Sequence, residues 1–207
     1  KIIADRRAKP RDDLASVLAN AEIDGVRMGD VETFGYYLIT FTAGHETTRN
    51  ALSGGLLALA QHPEQWLELR RDASLIPAAV EEIVRWTSPV NYMKRSATRD
   101  VVFQGQQIRA GDRLLLFYAS ANRDESVFED PFRFRISRQP NPHLGFGIGE
   151  HFCLGTHLAR ASQRALLREL SSRIESIDLA GEPARVHAAF VAGLKQLPIR
   201  YRIAAVP

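Results

Sequence analysis

The sequence predicts a mainly α fold with small β-sheets, an α+β arrangement built around one long helix. Three observations carry that expectation. A helical pattern runs unbroken from Asp30 to about Gln61, strand-like segments are short and few, and a glycine-rich loop holding the single cysteine opens into a further helical run. With 207 residues, 45% of them hydrophobic, the chain is long enough to bury a core of about one domain. A formal net charge of +3 gives no reason to expect nucleic acid. No run of eighteen apolar residues offers a membrane span. Lys1 to Arg7 is charged and helical, unlike the apolar region of a signal peptide. One cysteine cannot form an internal disulfide, and the pattern fits a reducing, cytoplasmic setting.

Taken in order, Asp12 to Leu18 reads as a short amphipathic helix, Gly25 closes a turn, and Asp30 is placed to cap the long helix. That helix has about 30 residues, or about 45 Å at 1.5 Å per residue. Phe34 to Phe41 is apolar or aromatic on every side, which expects burial all round. Pro63 opens a second helix through Arg70, and a third runs from about Pro77 to Trp86, stopping before Pro89. Ser96 to Phe103, Gln107-Ile108 and Arg113 to Tyr118 read as strands turning at Gly105 and Gly111. Asn122 to Pro142 is a long irregular stretch of the kind that is either functional or disordered. Leu154 to Ile174 is helical. The tail closes with Val186 to Phe190, a turn at Ala192-Gly193 and a strand at Ile199 to Ile203.

Cys153 sits where chemistry is expected. Gly145, Gly147, Gly149 and Gly155 strip side chains from its approaches, so a bulky flat group could lie against the backbone. A position at a helix N-terminus favours the thiolate, the form that binds a metal. A second unusual segment interrupts the apolar long helix: Ala43-Gly44-His45-Glu46-Thr47-Thr48 puts a carboxylate and hydroxyls where burial costs several kcal/mol without partners, roughly speaking. A third, Glu82-Ile83-Val84-Arg85, is an acid–base pair at i,i+3 and by itself contributes about 0.2–0.5 kcal/mol.

The spacing Phe146-x-x-Gly149-x-His151-x-Cys153-x-Gly155 resembles the haem-binding loop of the cytochromes P-450 at every defining position, and the Ala43–Thr48 segment resembles that family's second signature. The resemblance implies that Cys153 is the axial thiolate of haem b, with Phe146 packed beside the sulfur, His151 and Arg95 toward the two propionates, and Gly147, Gly155 and Ala159 completing the cofactor-binding set. It implies that Ala43 and Gly44 leave room for O2, while Glu46 and Thr47 form an acid–alcohol pair that relays protons. Glu82 and Arg85 become a structural pair, with Arg138, or else Arg133, as its third member. Val90 and Tyr92, Val191 and Leu194, and Thr40 fall at expected substrate walls.

The implied activity is a monooxygenase hydroxylating a lipophilic small molecule, sterol-, terpenoid- or fatty-acid-like. Electrons would come from NAD(P)H through a reductase and ferredoxin. The cation stripe Arg160, Arg164 and Arg168 is an expected ferredoxin contact, although most such stripes are simply solvated. The resemblance covers residues 1–207 but only the C-terminal half of the family, so a missing N-terminal half is expected as a packing partner. Two other classes compete: a haem-thiolate protein without turnover, and a zinc site drawn from His143, His151, Cys153 and His157.

Overall fold

The computed structural model describes residues 1–204. They form two compact units, one from Lys1 to Glu46 and one from Thr47 onward.

The first unit contains α1 (Ile2–Ala8), α2 (Leu14–Ala19), a hairpin of β1 (Glu22–Ile23) and β2 (Val26–Arg27), and the first half of α3 (Asp30–Gln61). Asp13 caps α2 by accepting the Ser16 N–H at 2.7 Å. The hairpin turns on Asp24 and Gly25 at φ of 53° and 77°, the left-handed pair that a two-residue turn needs. Arg7 ties the unit together, donating to the carbonyls of Ala19 at 3.0 Å and Met28 at 2.8 Å and pairing with Asp30. The burial expected around Phe34 to Phe41 is not met within this chain. Val31, Phe34, Leu38, Ile39 and Phe41 are all more than half exposed.

The second unit holds the core. Ala51, Ala58 and Leu59 from α3 pack with Trp66 and Leu69 of α4 (Pro63–Arg71) and with Ile76, Ala79, Val80 and Ile83 of α5 (Ile76–Thr87). Phe134, Ile136, Leu167 and Ile177 complete the cluster. Each large side chain buried there stabilises the fold by about 1.5–3 kcal/mol. Glycines set the closeness of α3 to α5: a Cβ on Gly55 would lie 2.8 Å from the Ile83 side chain.

Among the described residues the strands pair only in twos. β3 (Tyr92–Ser96) pairs antiparallel with β6 (Arg113–Phe117), aligning Tyr92 with Phe117 and Arg95 with Leu114. β4 (Val101–Phe103) and β5 (Gln106–Ile108) form a separate hairpin. The expected single strand from Ser96 to Phe103 is therefore two, because the chain leaves the first ladder at Ala97 to pair locally across Gly105. Tyr118 starts α6 (Tyr118–Ala121) instead of ending a strand. β7 (Ile174–Leu179) pairs with β10 (Ile199–Ile203), and β8 (Ala184–Arg185) with β9 (Leu194–Gln196). Val186 to Phe190 is not a strand. The Asn122–Pro142 stretch is irregular yet anchored, since Phe128, Phe134, Ile136 and Arg138 are buried along it.

Candidate active site

Below the cysteine loop lies a buried ion cluster. Glu82 and Arg85 are fully buried on α5, and Arg85 donates from Nε to Glu82 Oε2 at 2.7 Å and from Nη2 to Oε1 at 2.8 Å. Arg138 donates from Nε to the same Oε2 at 3.1 Å. The backbone N–H of Arg135 at 2.9 Å and Asn141 Nδ2 at 3.2 Å also reach this carboxylate. Both guanidiniums then gather carbonyls of the irregular stretch: Arg85 takes those of Asn122, Pro131 and Arg133, and Arg138 those of Glu129, Asp130 and Arg133. Arg133 thus enters through its carbonyl. Its side chain is exposed, so it is not the third charge. Two cations around one desolvated anion hold a long segment in place without strands.

Asn122 links this cluster to the loop above it. It is fully buried, donates to Ser88 Oγ at 2.9 Å and accepts the Leu144 N–H at 2.7 Å. Ser88, in the left-handed region at φ 39°, ends α5 and bonds back to the Arg85 carbonyl at 2.8 Å. A second carboxylate, Glu81, is gripped by Arg160 of α7 (Thr156–Arg173) through two bonds of 2.7 Å and faces His143 Nε2 at 3.0 Å. Burial opposes ionisation of Glu81. The hydrogen bonds from His143 and Arg160, with their charges, outweigh it and bring the carboxyl from 4.5 to about 2.

The loop itself is closed by one backbone bond, from the Cys153 N–H to the Phe146 carbonyl at 2.9 Å. Between them Gly147 and Gly149 take φ of 72° and 77°, which a side chain would strain. Gly149 to His151 forms a short 3-10 turn, and α7 starts at Thr156 with Gly155 as its cap. The helix therefore begins two residues later than expected, leaving Cys153 just before the cap, partly exposed. A Cβ on Gly155 would stand 3.9 Å from the Cys153 sulfur. Phe146 is held between the Arg160 guanidinium, 4.8 Å from the ring centre, and the rings of His143 and Phe152 at 5.8 and 6.5 Å. His151 is exposed, and Ala159 stands on the first turn of α7, its N–H bonded to the Gly155 carbonyl at 2.9 Å.

Beside the loop is an open cleft of about 680 Å³ lined by Arg95, Leu115 to Tyr118, Ser120, Ala121, Leu144, Gly147 and Ile148. Arg95 is the fourth residue of β3 and donates to the Lys94 carbonyl at 2.9 Å.

The expected substrate turns meet each other. Val90 bridges Val191, the Asn91 N–H reaches the Phe190 carbonyl at 2.9 Å, and Tyr92 packs against Phe117 and Phe190 with ring centres 5.6 Å apart. Leu194 departs from expectation. Pairing of β9 with β8 turns it inward, and it lines a different cleft with Asn50, Gly54, Trp86 and Arg123. Thr40, Ala43, Gly44 and Glu46 lie on the part of α3 within the first unit, where Glu46 approaches His45 at 3.8 Å. Thr47 begins the second unit.

The family model described as Cytochrome P450 matches residues 2–173. The chain belongs to the cytochrome P450 family. It is 46% identical over 197 residues to Cytochrome P450-terp of a Pseudomonas species, covering 95% of this chain and 46% of that protein. It is 47% identical over 202 residues to the methyl-branched lipid omega-hydroxylase of Mycobacterium tuberculosis, covering 95% and 46%. Among solved structures it matches CYP108D1 from Novosphingobium aromaticivorans with TM-score 0.92 and 48% identity, covering 98% of this chain and 49% of that one. The chain thus spans about half the length of the curated P450s it matches.

The residues present fit the haem that this family carries. The cleft wall of Leu115, Leu116, Phe117 and Ile148 is apolar and exposed, as a flat macrocycle requires, and Arg95 supplies a cation at its rim for a carboxylate. Gly149 leaves open space where a Cβ would stand. The zinc alternative does not fit. Among the described residues no three His, Cys, Asp or Glu side chains gather as a metal set, and His143 is engaged by Glu81. No helix of the described residues is long and apolar enough to cross a membrane. Glu81 and Asn122 escaped the sequence reading as site residues, and His143 entered it only as a zinc candidate. The doubled carboxylate Glu81-Glu82 and the histidine three residues before Phe146 were the available signals.

Proposed function

We propose that this chain is the haem-bearing C-terminal portion of a cytoplasmic P450 monooxygenase that places one oxygen atom of O2 into a lipophilic small molecule. The cysteine loop is the observation that carries the reading. It carries a partly exposed cysteine, is closed by the Cys153–Phe146 backbone bond, and lines with Gly147 and Ile148 an apolar cleft that Arg95 also lines. When bound, haem b supplies oxygen-activating iron through the Cys153 thiolate. Phe146 keeps solvent from the sulfur, Gly147 and Gly155 let the backbone approach it, and Ala159 borders the loop on α7. Arg95 and His151 would hold the propionates.

On α3, Ala43 and Gly44 would leave room for O2, and Glu46 and Thr47 would hold and pass protons toward it. Val90, Tyr92 and Val191 line the substrate side, and Thr40 adds a wall from α3. The names of the relatives, Cytochrome P450-terp and a methyl-branched lipid omega-hydroxylase, support a lipophilic substrate, sterol-, terpenoid- or fatty-acid-like. Electrons come from NAD(P)H by way of a ferredoxin and its reductase, and a preceding N-terminal half covers the exposed apolar side chains of α3.

The test is turnover. The full-length gene product, given NAD(P)H, ferredoxin, reductase, O2 and a lipid panel, yields a hydroxylated product. Haem loading without product from any lipid would instead identify a haem-thiolate protein that does not turn over.

A further inference from the structure

We propose that Glu81 is a positioning residue for the cysteine loop, acting by fixing the Arg160 guanidinium over the Phe146 ring, against the loop that carries Cys153. The proposal rests on Cys153 being the haem ligand. Glu81 and Glu82 are neighbours on α5, so their side chains leave the helix about 100° apart. Glu82 serves the irregular stretch, while Glu81 serves the loop. Two parallel bonds of 2.7 Å from Arg160 Nε and Nη2 fix the guanidinium plane in a way one bond could not. The same carboxylate holds His143, whose Nδ1 receives the Gly145 N–H at 3.1 Å, so Glu81 grips the loop's entry as well.

From the guanidinium the path is short. It lies 4.8 Å from the Phe146 ring centre, and the Phe146 carbonyl takes the Cys153 N–H at 2.9 Å. Arg160 is held more basic than usual, first by its hydrogen bond to Glu81, against burial, and further by the charges of Glu81 and Cys153. The pair is three-quarters shielded from solvent, so salt and water screen its field less than that of a surface pair. An Arg160 so engaged is not a free contact for a ferredoxin. Arg164 and Arg168, both exposed, remain available for that role.

A clamp that merely joined α5 to α7 and a clamp that sets the field at the sulfur differ in sign. Glu81→Gln removes an anion and leaves a cation near the thiolate, favouring the reduced, more negative centre. Arg160→Gln leaves the anion uncompensated and disfavours it. In redox titrations of the haem-loaded full-length gene product, E81Q is expected to shift the reduction equilibrium toward the reduced form by about threefold or more, and R160Q the opposite way by a similar factor. The double variant should return to within about twofold of wild type. Glu169→Gln, which breaks the exposed Glu169–Arg173 pair on the same helix, should leave the equilibrium unchanged.

If Glu81→Gln loses haem, Arg160→Lys stands in for it. That change keeps the charge but not the two-bonded geometry, and should hold the equilibrium while enlarging the carbon monoxide species that has lost thiolate ligation. Shifts in one direction for both single variants, or none, with an intact thiolate band would overturn the proposal alone. A wild-type protein without that band overturns the haem reading and this proposal together.

Discussion

Replacing Glu82 by glutamine should be among the most damaging single-atom changes in the second unit. Its carboxylate is fully buried and takes five hydrogen bonds, two from Arg85, one each from Arg138 and Asn141, and one from the Arg135 backbone. The amide loses the charge and turns an NH2 toward donors, so two desolvated guanidiniums face each other with no anion between them. Breaking a buried pair in this way costs about 3–5 kcal/mol. Against a total stability of about 5–15 kcal/mol, that removes about a fifth of it or more. Urea unfolding followed by the fluorescence of Trp66 and Trp86 should show the midpoint falling by about 1–5 M, taking a slope of about 1–3 kcal/mol/M. Arg138→Met should cost less, because Arg85 still holds Glu82 with two bonds. A loss below about 1 kcal/mol for Glu82→Gln, or a larger loss for Arg138→Met, would refute the view that this anion organises the stretch.

Three further outcomes are expected. Gly55→Ala drives a Cβ to 2.8 Å from the Ile83 side chain, and overpacking of about 1–3 kcal/mol should exceed the gain in helix propensity of about 1 kcal/mol, lowering the unfolding midpoint. The Glu81 carboxyl titrates near 2 when folded against 4.5 when unfolded, so its stabilisation is complete above pH 4.5 and fades as pH falls through 2. The stability gap between wild type and Glu81→Gln should therefore narrow over that window, and a gap constant down to pH 2 would contradict it. Thr47→Ala in the full-length gene product should lower product formed per NAD(P)H consumed, and an unchanged ratio would remove Thr47 from the proton path.

The long helix and the two helices after it were legible because their signals are local. The apolar period, Pro63 and the stop before Pro89 place α3, α4 and α5 within a residue or so of where they lie. The loop was legible for a different reason: its glycines and aromatic residues crowd into ten positions around Cys153. What stayed hidden depends on distant partners. Arg138 and Arg133 are five residues apart and chemically alike, and only the buried Glu82 decides which one supplies a charge and which a carbonyl. Arg160 reads as part of a solvated stripe until α5 brings Glu81 beneath it. Strand β3 was misread because pairing with β6, not local composition, sets where it begins and ends. Leu194 has the composition of a pocket wall, but its ladder to β8 turns it toward the other cleft. The exposed side chains of Phe34 to Phe41 carry the pattern of a buried helix, as expected of a chain spanning half its relatives' length.

The most direct measurement of the central claim is the carbon monoxide difference spectrum of the reduced full-length gene product, beside that of Cys153→Ser. A red-shifted Soret band in the wild type, lost in the serine variant, is the predicted result. The same band in both proteins, or in neither, would contradict sulfur ligation by Cys153.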